Sequence, residues 1–459
     1  MSKDKRFEMG SVSLDVGLGR EPAAERAARP QDDDPFRVLI LGNFSGSGRV
    51  SKPVEVDRDN FDEVLRAFAP VVDVPGGRIM IGEIDDFHPD RLLARYPALR
   101  ETAAPVSVAP VAAAASAEPV TAANLASGSF LDDVLAASEK REEPKGDALS
   151  GWINQVAAKH AVASPSSEEQ AQQAAAEQTT AGRIRALLHA PAFQAMEALW
   201  RGVDWLVRQT DTDGPVSVWL VDTTREAAAA ACASAAALED LPGYAQVRAR
   251  RPAVLIAAFD FGVNDEDLVT LAGLGALASA FGVACLAGAR PDWIGCESYA
   301  ELDSPRTWGA PSAEAEMFRS TAAAKHLGLA GPRFLLRLPY GARSGACESV
   351  ALEEAPAHEQ MLWGNAALLC ASLLAASFNE DRWDMRLGTC SQVDGLPLYV
   401  RDGDVQPCAE TLMTEDAASA MLDRGVMSLA GVRNSDAVKV VRFQNAAAPG
   451  AQLPGPWLP

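Results

Sequence analysis

The sequence predicts an α/β protein in which helices cover mixed β-sheets, and three observations support this fold class. The run "AVLIAAFDF" is continuously apolar, as expected of a strand that is covered on both faces. A helical pattern over Asp265–Phe281 follows it and leads into the apolar strand "VACLAGA", which gives a strand–helix–strand order. With 459 residues, 48% of them apolar, the chain is long enough for two or three domains with substantial cores.

The stretch "PFRVLILGNFSGSGR" (Pro35–Arg49) indicates an apolar strand that ends in a glycine-rich loop, where a nucleotide phosphate often binds. The spacing fits neither phosphate-binding pattern. A Walker A loop counted from Gly42 needs its second glycine at Ser47 and a lysine after it. The dinucleotide pattern fits Gly46 and Gly48 and fails at its third glycine. We therefore expect these glycines to serve a tight strand exit with positive φ angles.

Two strand–helix units follow in the first hundred residues. Alternation over Val54–Val56 predicts a strand, and Phe61, Val64, Leu65 and Phe68 share one face of a predicted helix that Pro70 ends. A second predicted strand spans Arg78–Ile84, and a helix begins near Pro89–Asp90. A short alternating stretch before them, Val12–Val16, is a further candidate strand.

Composition divides the chain into three parts. Residues 1–104 form a first predicted domain, residues 183–459 a second, and residues 105–182 a linker. Residues 101–128 are rich in Ala, Pro and Ser and contain no aromatic residue, so we expect them to be disordered. The stretch "SFLDDVLAASEK" predicts a short amphipathic helix, residues 129–139, inside the linker.

The region after residue 183 alternates between helical and strand patterns. "IRALLHAPAFQAMEALWRGVDWLVRQT" and "EQMLWGNAALLCASLLAASFNE" predict long helices, the second one buried. Strands are predicted at "PVSVWLVD", "PRFLLRLPYG", "GLPLYV" and "VKVVRF". The apolar helix faces around Phe61 and Trp200 need more cover than either half offers alone, so we expect the two halves to pack together.

Charge and cysteine usage narrow the class of protein. The net charge of −21 argues against non-specific binding to nucleic acid or to an anionic membrane surface. The seven cysteines include no C-x-x-C pair, which favours a reduced, cytoplasmic protein with buried thiols. The N-terminus lacks the apolar segment of a secretory signal, and no apolar run reaches the length of a membrane span.

No recognisable catalytic or metal-binding pattern is present in the sequence. The five histidines are too far apart for an H-E-x-x-H pair, and "GARSGA" around Ser344 misses the G-x-S-x-G nucleophile elbow by one position. The adjacent carboxylates Glu353–Glu354 and Asp85–Asp86 are interpreted as solvated surface groups. We therefore predict no enzymatic activity, no metal and no cofactor.

Two arginines interrupt apolar patterns. Arg201 lies in the helical stretch "LWRGVDW", and Arg337 lies in the strand "FLLRLPYG". A buried guanidinium without a partner is costly, so we expect both arginines to be paired. A structural ion pair, a backbone clamp and a clamp between subunits all remain open, and catalysis ranks below them.

Read in order, these segments resemble two partner families of the type VI secretion contractile sheath. The first hundred residues resemble the small subunit TssB (VipA) at "PFRVLILGNFSGSGR", "KPVEVDRDNFDEVLRAFAP" and "IDDFHPDRLLARYPALR", although that family usually has Asp where this chain has Asn43. From residue 129 onward the chain resembles the large subunit TssC (VipB). The matching stretches are "SFLDDVLAAS", "IRALLHAPAFQAMEALWRGVDWLV", "PRFLLRLPYG", "HEQMLWGNAALLCASLLAASF", "GLPLYV" and, more weakly, "GVMSLAGVRNSDAVKVVRFQN".

The resemblance implies a fusion protein with a sheath-subunit fold and a structural, non-enzymatic role in a type VI secretion apparatus. It also implies that the glycine loop belongs to the fold and holds no nucleotide. Structural or interaction roles follow for motif residues, namely Trp200, Arg201, Gly202, Arg337, Pro339, Tyr340, Trp363, Gly364 and Asn365.

The expected role is accessory: a cap, a nucleation factor or a baseplate component that contacts sheath, tube or baseplate proteins. The resemblance ends near Arg100 and again soon after "VVRFQN", so the C-terminal strands that neighbouring sheath subunits exchange are expected to be missing. We therefore expect a monomer or a small oligomer. The alternative is an adaptor or decoy for the ClpV-type AAA+ ATPase that recycles sheaths, bound through the helix carrying Phe130, Leu131, Val134 and Leu135.

Overall fold

The computed structural model describes residues 30–100 and 167–458, apart from residues 49, 75–76, 233–236, 238, 241 and 356. The strands of these residues are β1 Phe36–Gly42, β2 Val54–Val56, β3 Val71–Val74, β4 Gly77–Met80, β5 Val216–Asp222, β6 Val254–Phe261, β7 Ala284–Ala289, β8 Leu327–Gly331, β9 Phe334–Arg337, β10 Leu362–Gly364, β11 Gln392–Val393, β12 Val400–Arg401, β13 Asp404–Val405, β14 Val426–Gly431 and β15 Val438–Val440. The α-helices of the same residues are α1 Phe61–Phe68, α2 Pro89–Arg95, α3 Ser167–Leu188, α4 Pro191–Gln209, α5 Arg225–Ala231, α6 Tyr244–Ala249, α7 Asp265–Phe281, α8 Ala313–Arg319, α9 Ala366–Asp381 and α10 Glu415–Asp423.

A nine-stranded mixed sheet has the order β11-β15-β14-β8-β7-β6-β1-β5-β2. The six strands from β14 to β5 are parallel, and the strands outside them pair antiparallel. Strand β1 lies in the interior of the sheet: Val38 lies opposite Val218 of β5 on one side and opposite Val254 of β6 on the other. The predicted fold class is confirmed.

The first hundred residues share this sheet with the later part of the chain. The described residues up to Arg100 and those from Ala181 onward form one compact unit. Residues 101–180 form a second unit, of which the structure describes the beginning of α3. The predicted packing of the two halves is confirmed. The two halves also share one sheet, because β1 is hydrogen-bonded between strands of the second half. The domain boundaries at residues 104 and 183 stay a prediction.

Each face of the central sheet carries its own apolar core. Side chains that alternate along β1 divide between the cores, as the period of a strand requires. Phe36, Val38 and Ile40 lie on the first face, with residues of α1, α4 and α9. Leu39 and Leu41 lie on the second face, with residues of α7, α8 and α10.

Local signals explain several element boundaries. Helix α7 has the predicted bounds, because Asn264 caps its start through the N–H of Asp267 and Gly282 ends it in a left-handed conformation. The stretch before residue 210 forms two helices where one continuous pattern was expected. The break lies at Ala190, which is extended because it precedes Pro191.

Other predictions differ from the structure. The strand expected over Arg78–Ile84 ends at Met80, and "GLPLYV" forms a strand only from Val400. The central strands β8 and β14 and the helix α10 were not predicted. The candidate strand Val12–Val16, the predicted disorder of residues 101–128 and the helix over residues 129–139 lie outside the described residues. In the described part of the chain, no helix combines the length and the apolar character that crossing a bilayer requires.

Candidate functional site: a buried arginine–glutamate cluster

A carboxylate on α4 is the centre of a buried ion cluster. Glu197 is fully buried, and its Oε1 accepts hydrogen bonds of 2.7 Å from Nε of both Arg201 and Arg337. Arg337 also donates from Nη2 to Oε2 of Glu197 at 3.1 Å. Arg201 follows Glu197 by one helical turn on α4, whereas Arg337 ends strand β9.

The cluster extends to a second buried carboxylate, Glu354. Arg337 donates Nη1 to Oε2 at 2.7 Å and Nη2 to Oε1 at 2.8 Å, the bidentate geometry that guanidinium groups favour. The backbone N–H of Tyr340 donates to the same carboxylate at 2.7 Å. The Tyr340 hydroxyl accepts from Arg201 at 3.2 Å, and its ring lies 4.1 Å from the Arg337 guanidinium.

Mutual pairing decides the charge state of these groups. Burial disfavours the ionised form of Glu197, but Arg337 and Arg201 outweigh that cost, and the net effect lowers its pKa. Burial opposes the charge of Arg337 as well, and its two carboxylates raise its pKa well above the usual value. Burial raises the pKa of Tyr340 to about 12. The cluster therefore holds charges that neutralise one another and leaves no activated nucleophile or base among these groups.

The prediction that Arg201 and Arg337 are paired is confirmed. The interpretation of the acidic pairs as solvated groups is wrong for two members, because Glu354 and Asp86 are 3% and 2% exposed. Asp86 accepts hydrogen bonds from Arg95 and from the N–H groups of Gly82 and Glu83, which offsets its burial. Sequence reasoning also missed Glu197, although its position four residues before Arg201 on an apolar helical face was a usable signal.

Trp200 joins α4 to the first hundred residues. Its indole N–H donates to the carbonyl of Phe44 at 3.0 Å. Its ring packs edge-on against Phe44, Phe61 and Phe68, with centroids 5.2, 5.9 and 5.7 Å away. Gly202 lets α4 approach α9 closely, because a Cβ there would lie 2.6 Å from a methyl carbon of Leu368.

Asn365 serves the start of α9. Its Oδ1 accepts the N–H of Ala367 at 2.9 Å, and its Nδ2 donates to Asp260 at 2.8 Å. The carboxylate of Asp260 lies at the end of β6, where burial raises its pKa. Asn365 therefore ties the start of a helix to the end of a strand.

The remaining motif residues have packing roles or line an opening. A Cβ on Gly364 would lie 2.8 Å from Leu336, and the buried ring of Trp363 packs edge-on against His358 at 5.0 Å. A cavity of about 450 Å³ lies beside the ion cluster. Its lining consists of Pro339, Tyr340, Ala342, Arg343, Ser344, Glu353, Ala355, Tyr399, Val400, Arg401 and Asp402. The roles of the predicted residues in interactions stay predictions.

The glycine loop after β1 turns as expected. Gly46 and Gly48 have φ angles of 71° and 73°, and a Cβ on Gly46 would lie 2.3 Å from the carbonyl oxygen of Val71. The N–H of Ser45 donates to the buried carboxylate of Asp222 at 3.0 Å. A carboxylate of the chain itself thus occupies a donor that a phosphate would need in this loop.

Fold and cluster together define a large α/β domain in which buried ion pairs and aromatic contacts tie distant segments to one sheet. Residues 171–446 match the family described as VipB, the EvpB/VC_A0108 tail sheath N-terminal domain. Because the match covers more than half of the chain, the chain belongs to this tail sheath family. The resemblance of the later region to TssC (VipB) is confirmed.

A curated relative of this chain is also a sheath protein. Over 293 residues the chain is 25% identical to the "Type VI secretion system sheath protein TssC1" of Pseudomonas aeruginosa. The alignment covers 58% of this chain and 59% of that protein, so the chain spans about three fifths of the relative's length. The family match begins at residue 171, and the resemblance of the first hundred residues to TssB therefore stays a prediction.

Proposed function

We propose that this chain is a structural, non-enzymatic component of a type VI secretion apparatus that carries a TssB-like and a TssC-like region in one polypeptide. Membership of the tail sheath family supports the assignment of this chain to a type VI secretion apparatus. The position of β1 between β5 and β6 supports the presence of both regions in one polypeptide, because a strand from the first hundred residues lies within a sheet whose neighbouring strands come from the later region. The mutually neutralised ion cluster favours a structural role over a catalytic one.

We propose further that the role is accessory, and the path of residues 441–458 is the observation that carries this. The N–H of Ala446 donates to the carbonyl of Leu327 at 2.8 Å, Leu453 is fully buried, and the ring of Trp457 stacks on Phe36 with centroids 6.4 Å apart. No β-strand occurs in this described stretch. A segment buried in its own core is not free to add a strand to a neighbouring subunit.

The edges of the central sheet support the same proposal. Edge strand β2 has three residues and edge strand β11 has two, and short edge strands are poor templates for pairing between chains. The net charge of −21 adds repulsion between identical copies. We therefore propose a cap, a nucleation factor or a baseplate contact, with sheath, tube or baseplate proteins as partners.

The test uses the full chain at near-physiological salt. Light scattering after size-exclusion chromatography is expected to give a monomer or a small oligomer. Negative-stain electron microscopy of a mixture with preformed type VI sheaths should then place particles at sheath ends. Long regular tubes formed by this chain alone would overturn the accessory role.

The alternative, an adaptor or decoy for the ClpV-type AAA+ ATPase, depends on residues 129–139, which lie outside the described residues. A chain without residues 129–139 separates the two functions. Under the main proposal this deletion leaves binding to sheath ends unchanged. Loss of ATPase binding by the deleted chain, with no binding of the full chain to sheath components, would favour the alternative.

A further inference from the structure

Three metal-ligating side chains meet where α2 contacts a loop of the second half. His88 and Asp90 stand at the start of α2, and Cys347 comes from the loop before residue 350. One potential ligand atom of each lies within 4.8 Å of the others. We propose that His88, Asp90 and Cys347 hold a divalent transition metal of the zinc type, which clamps the two segments together.

The donor set suits this class of ion. Imidazole nitrogen, carboxylate oxygen and thiolate sulfur are the ligands that Zn²⁺ takes, whereas Mg²⁺ and Ca²⁺ prefer oxygen donors only. Bonds of about 2.0–2.3 Å in a tetrahedron place the ligand atoms roughly 3.5 Å apart. Nδ1 of His88 lies 3.7 Å from Oδ2 of Asp90, close to that spacing. The sulfur of Cys347 lies within 4.8 Å of both of these ligand atoms.

Surrounding contacts hold the ligands in place. The carboxylate of Asp90 accepts the N–H groups of Glu348 at 3.0 Å and Ser349 at 2.9 Å, which fixes the loop that carries Cys347. The ring of His88 packs edge-on against Tyr340 with centroids 4.8 Å apart. Outer contacts of this kind orient metal ligands in proteins.

Solvent can reach the cluster. The side chains of His88 and Asp90 are 31% and 24% exposed, and Cys347 is half-buried. An ion can therefore enter from water, and a water molecule can complete a four-coordinate site.

Coordination changes the protonation of the cluster. Without metal, Cys347 offers a thiol, whereas a zinc-type ion binds the thiolate form of cysteine. Metal binding breaks the S–H bond, forms the metal–sulfur bond and releases the proton to solvent. Nδ1 of His88, which now accepts the N–H of Asp90 at 3.2 Å, gives its lone pair to the metal instead.

The sequence pattern could not indicate this site, because Cys347 is far along the chain from His88 and Asp90. The inference is independent of the role in secretion. A metal here joins residues 88–90 to residues 347–349, next to the cluster of Arg337 and Tyr340, and so stabilises the packing of the two halves.

Co²⁺ is the probe for the test, since a Co²⁺–thiolate bond gives a charge-transfer band in the near ultraviolet. The metal-free full chain is expected to bind one Co²⁺ with this band and to melt at a higher temperature when metal is present. Cys347→Ser should abolish the band, and Cys390→Ser, at another half-buried thiol, should retain it. His88→Ala should weaken Co²⁺ binding at least about 10-fold, since loss of even outer contacts costs about 10–100-fold.

A second measurement on the unmodified chain decides the matter if Cys347→Ser does not fold. Saturating Zn²⁺ should slow the reaction of Cys347 with iodoacetamide, as read by peptide mass spectrometry, while Cys390 reacts at the same rate with or without metal. Equal reactivity of Cys347 in the two conditions, or a charge-transfer band that survives in a folded Cys347→Ser variant, would overturn the proposal.

Discussion

Each face of the central sheet buries a carboxylate, and the two faces stabilise it in different ways. On the second face, Asp267 accepts hydrogen bonds from the N–H of Gly262 at 2.7 Å and from the side chain of Asn264 at 2.9 Å, and it pairs with Arg225 at 2.5 Å. Two of these donors lie within five residues of the carboxylate. On the first face, Glu197 relies on two guanidinium groups, one of which lies 140 residues away in sequence.

The difference follows from how the faces are assembled. The helices of the second face, α7, α8 and α10, all come from the later part of the chain. The first face combines α1 with α4, α9 and the C-terminal segment, so its core depends on contacts between distant segments. Local donors keep Asp267 satisfied even if one partner is lost, whereas the partners of Glu197 depend on the tertiary fold.

The largest expected effect is that of Arg337→Ala. The change leaves Glu197 with Arg201 as its single ion-pair partner and leaves Glu354 without an ion pair, and breaking a buried pair in this way costs about 3–5 kcal/mol of unfolding free energy. Urea unfolding measures the loss. The exposed Arg343→Ala serves as the matched control, with an effect within about 0.5 kcal/mol. An unchanged melting temperature in Arg337→Ala would show that the cluster does not stabilise the first face.

Glu197→Gln sharpens the comparison through pH. The pKa of Glu197 is lowered by its two arginines, so its ionised form stabilises the fold above the ordinary glutamate pKa of about 4.3, and this contribution is lost as the pH falls through the lowered value. We expect the variant to lose about 2–3 kcal/mol at neutral pH and to approach the unchanged chain in acid.

Urea midpoints from pH 7 downward test that expectation. The exposed Glu359→Gln is the control and should follow the unchanged chain at every pH. A difference between Glu197→Gln and the unchanged chain that stays constant down to the acid limit would mean that the charge of Glu197 is not what stabilises the cluster.

Arg225→Ala on the second face is expected to cost only about 1 kcal/mol. The arginine is partly exposed, and Asp267 keeps its hydrogen bonds to Gly262 and Asn264 after the change. The measurement is the same urea series. A loss as large as that of Arg337→Ala would contradict the distinction between local and long-range support.

The smallest expected effect is that of cutting the chain between residues 101 and 166. Because β1 is hydrogen-bonded between β5 and β6, the two fragments should stay associated and elute together from a sizing column without denaturant. Fragments that separate under these conditions would refute the shared core. A cut that leaves the melting temperature nearly unchanged would support it further.

The same contrast explains what the sequence predicts well. Helix α7 could be placed to the residue, because its cap Asn264, its apolar pattern and its final Gly282 are adjacent in sequence. Strands β8 and β14 were not predicted from the sequence, because short stretches that contain Gly, Ala and Ser carry little β-propensity and depend on their neighbours in the sheet.

Some residues of the candidate site could likewise be predicted from the sequence, and others could not. Burial of Arg201 and Arg337 could be inferred from their apolar surroundings, but Glu354 carried no signal, because the residues that bury it come from elsewhere in the chain. The juxtaposition of His88 with Cys347 was equally invisible, since no spacing rule connects positions so far apart.

The interior position of β1 in the sheet has a consequence for assembly inside the cell. Its partner strands β5 and β6 are made long after it, so the sheet closes late and over a long loop, a feature typical of slow folding. Because β1 and its partners belong to one polypeptide, their encounter is intramolecular and does not depend on the concentration of the protein. The tether also fixes their ratio at one to one, whatever the expression level of the gene.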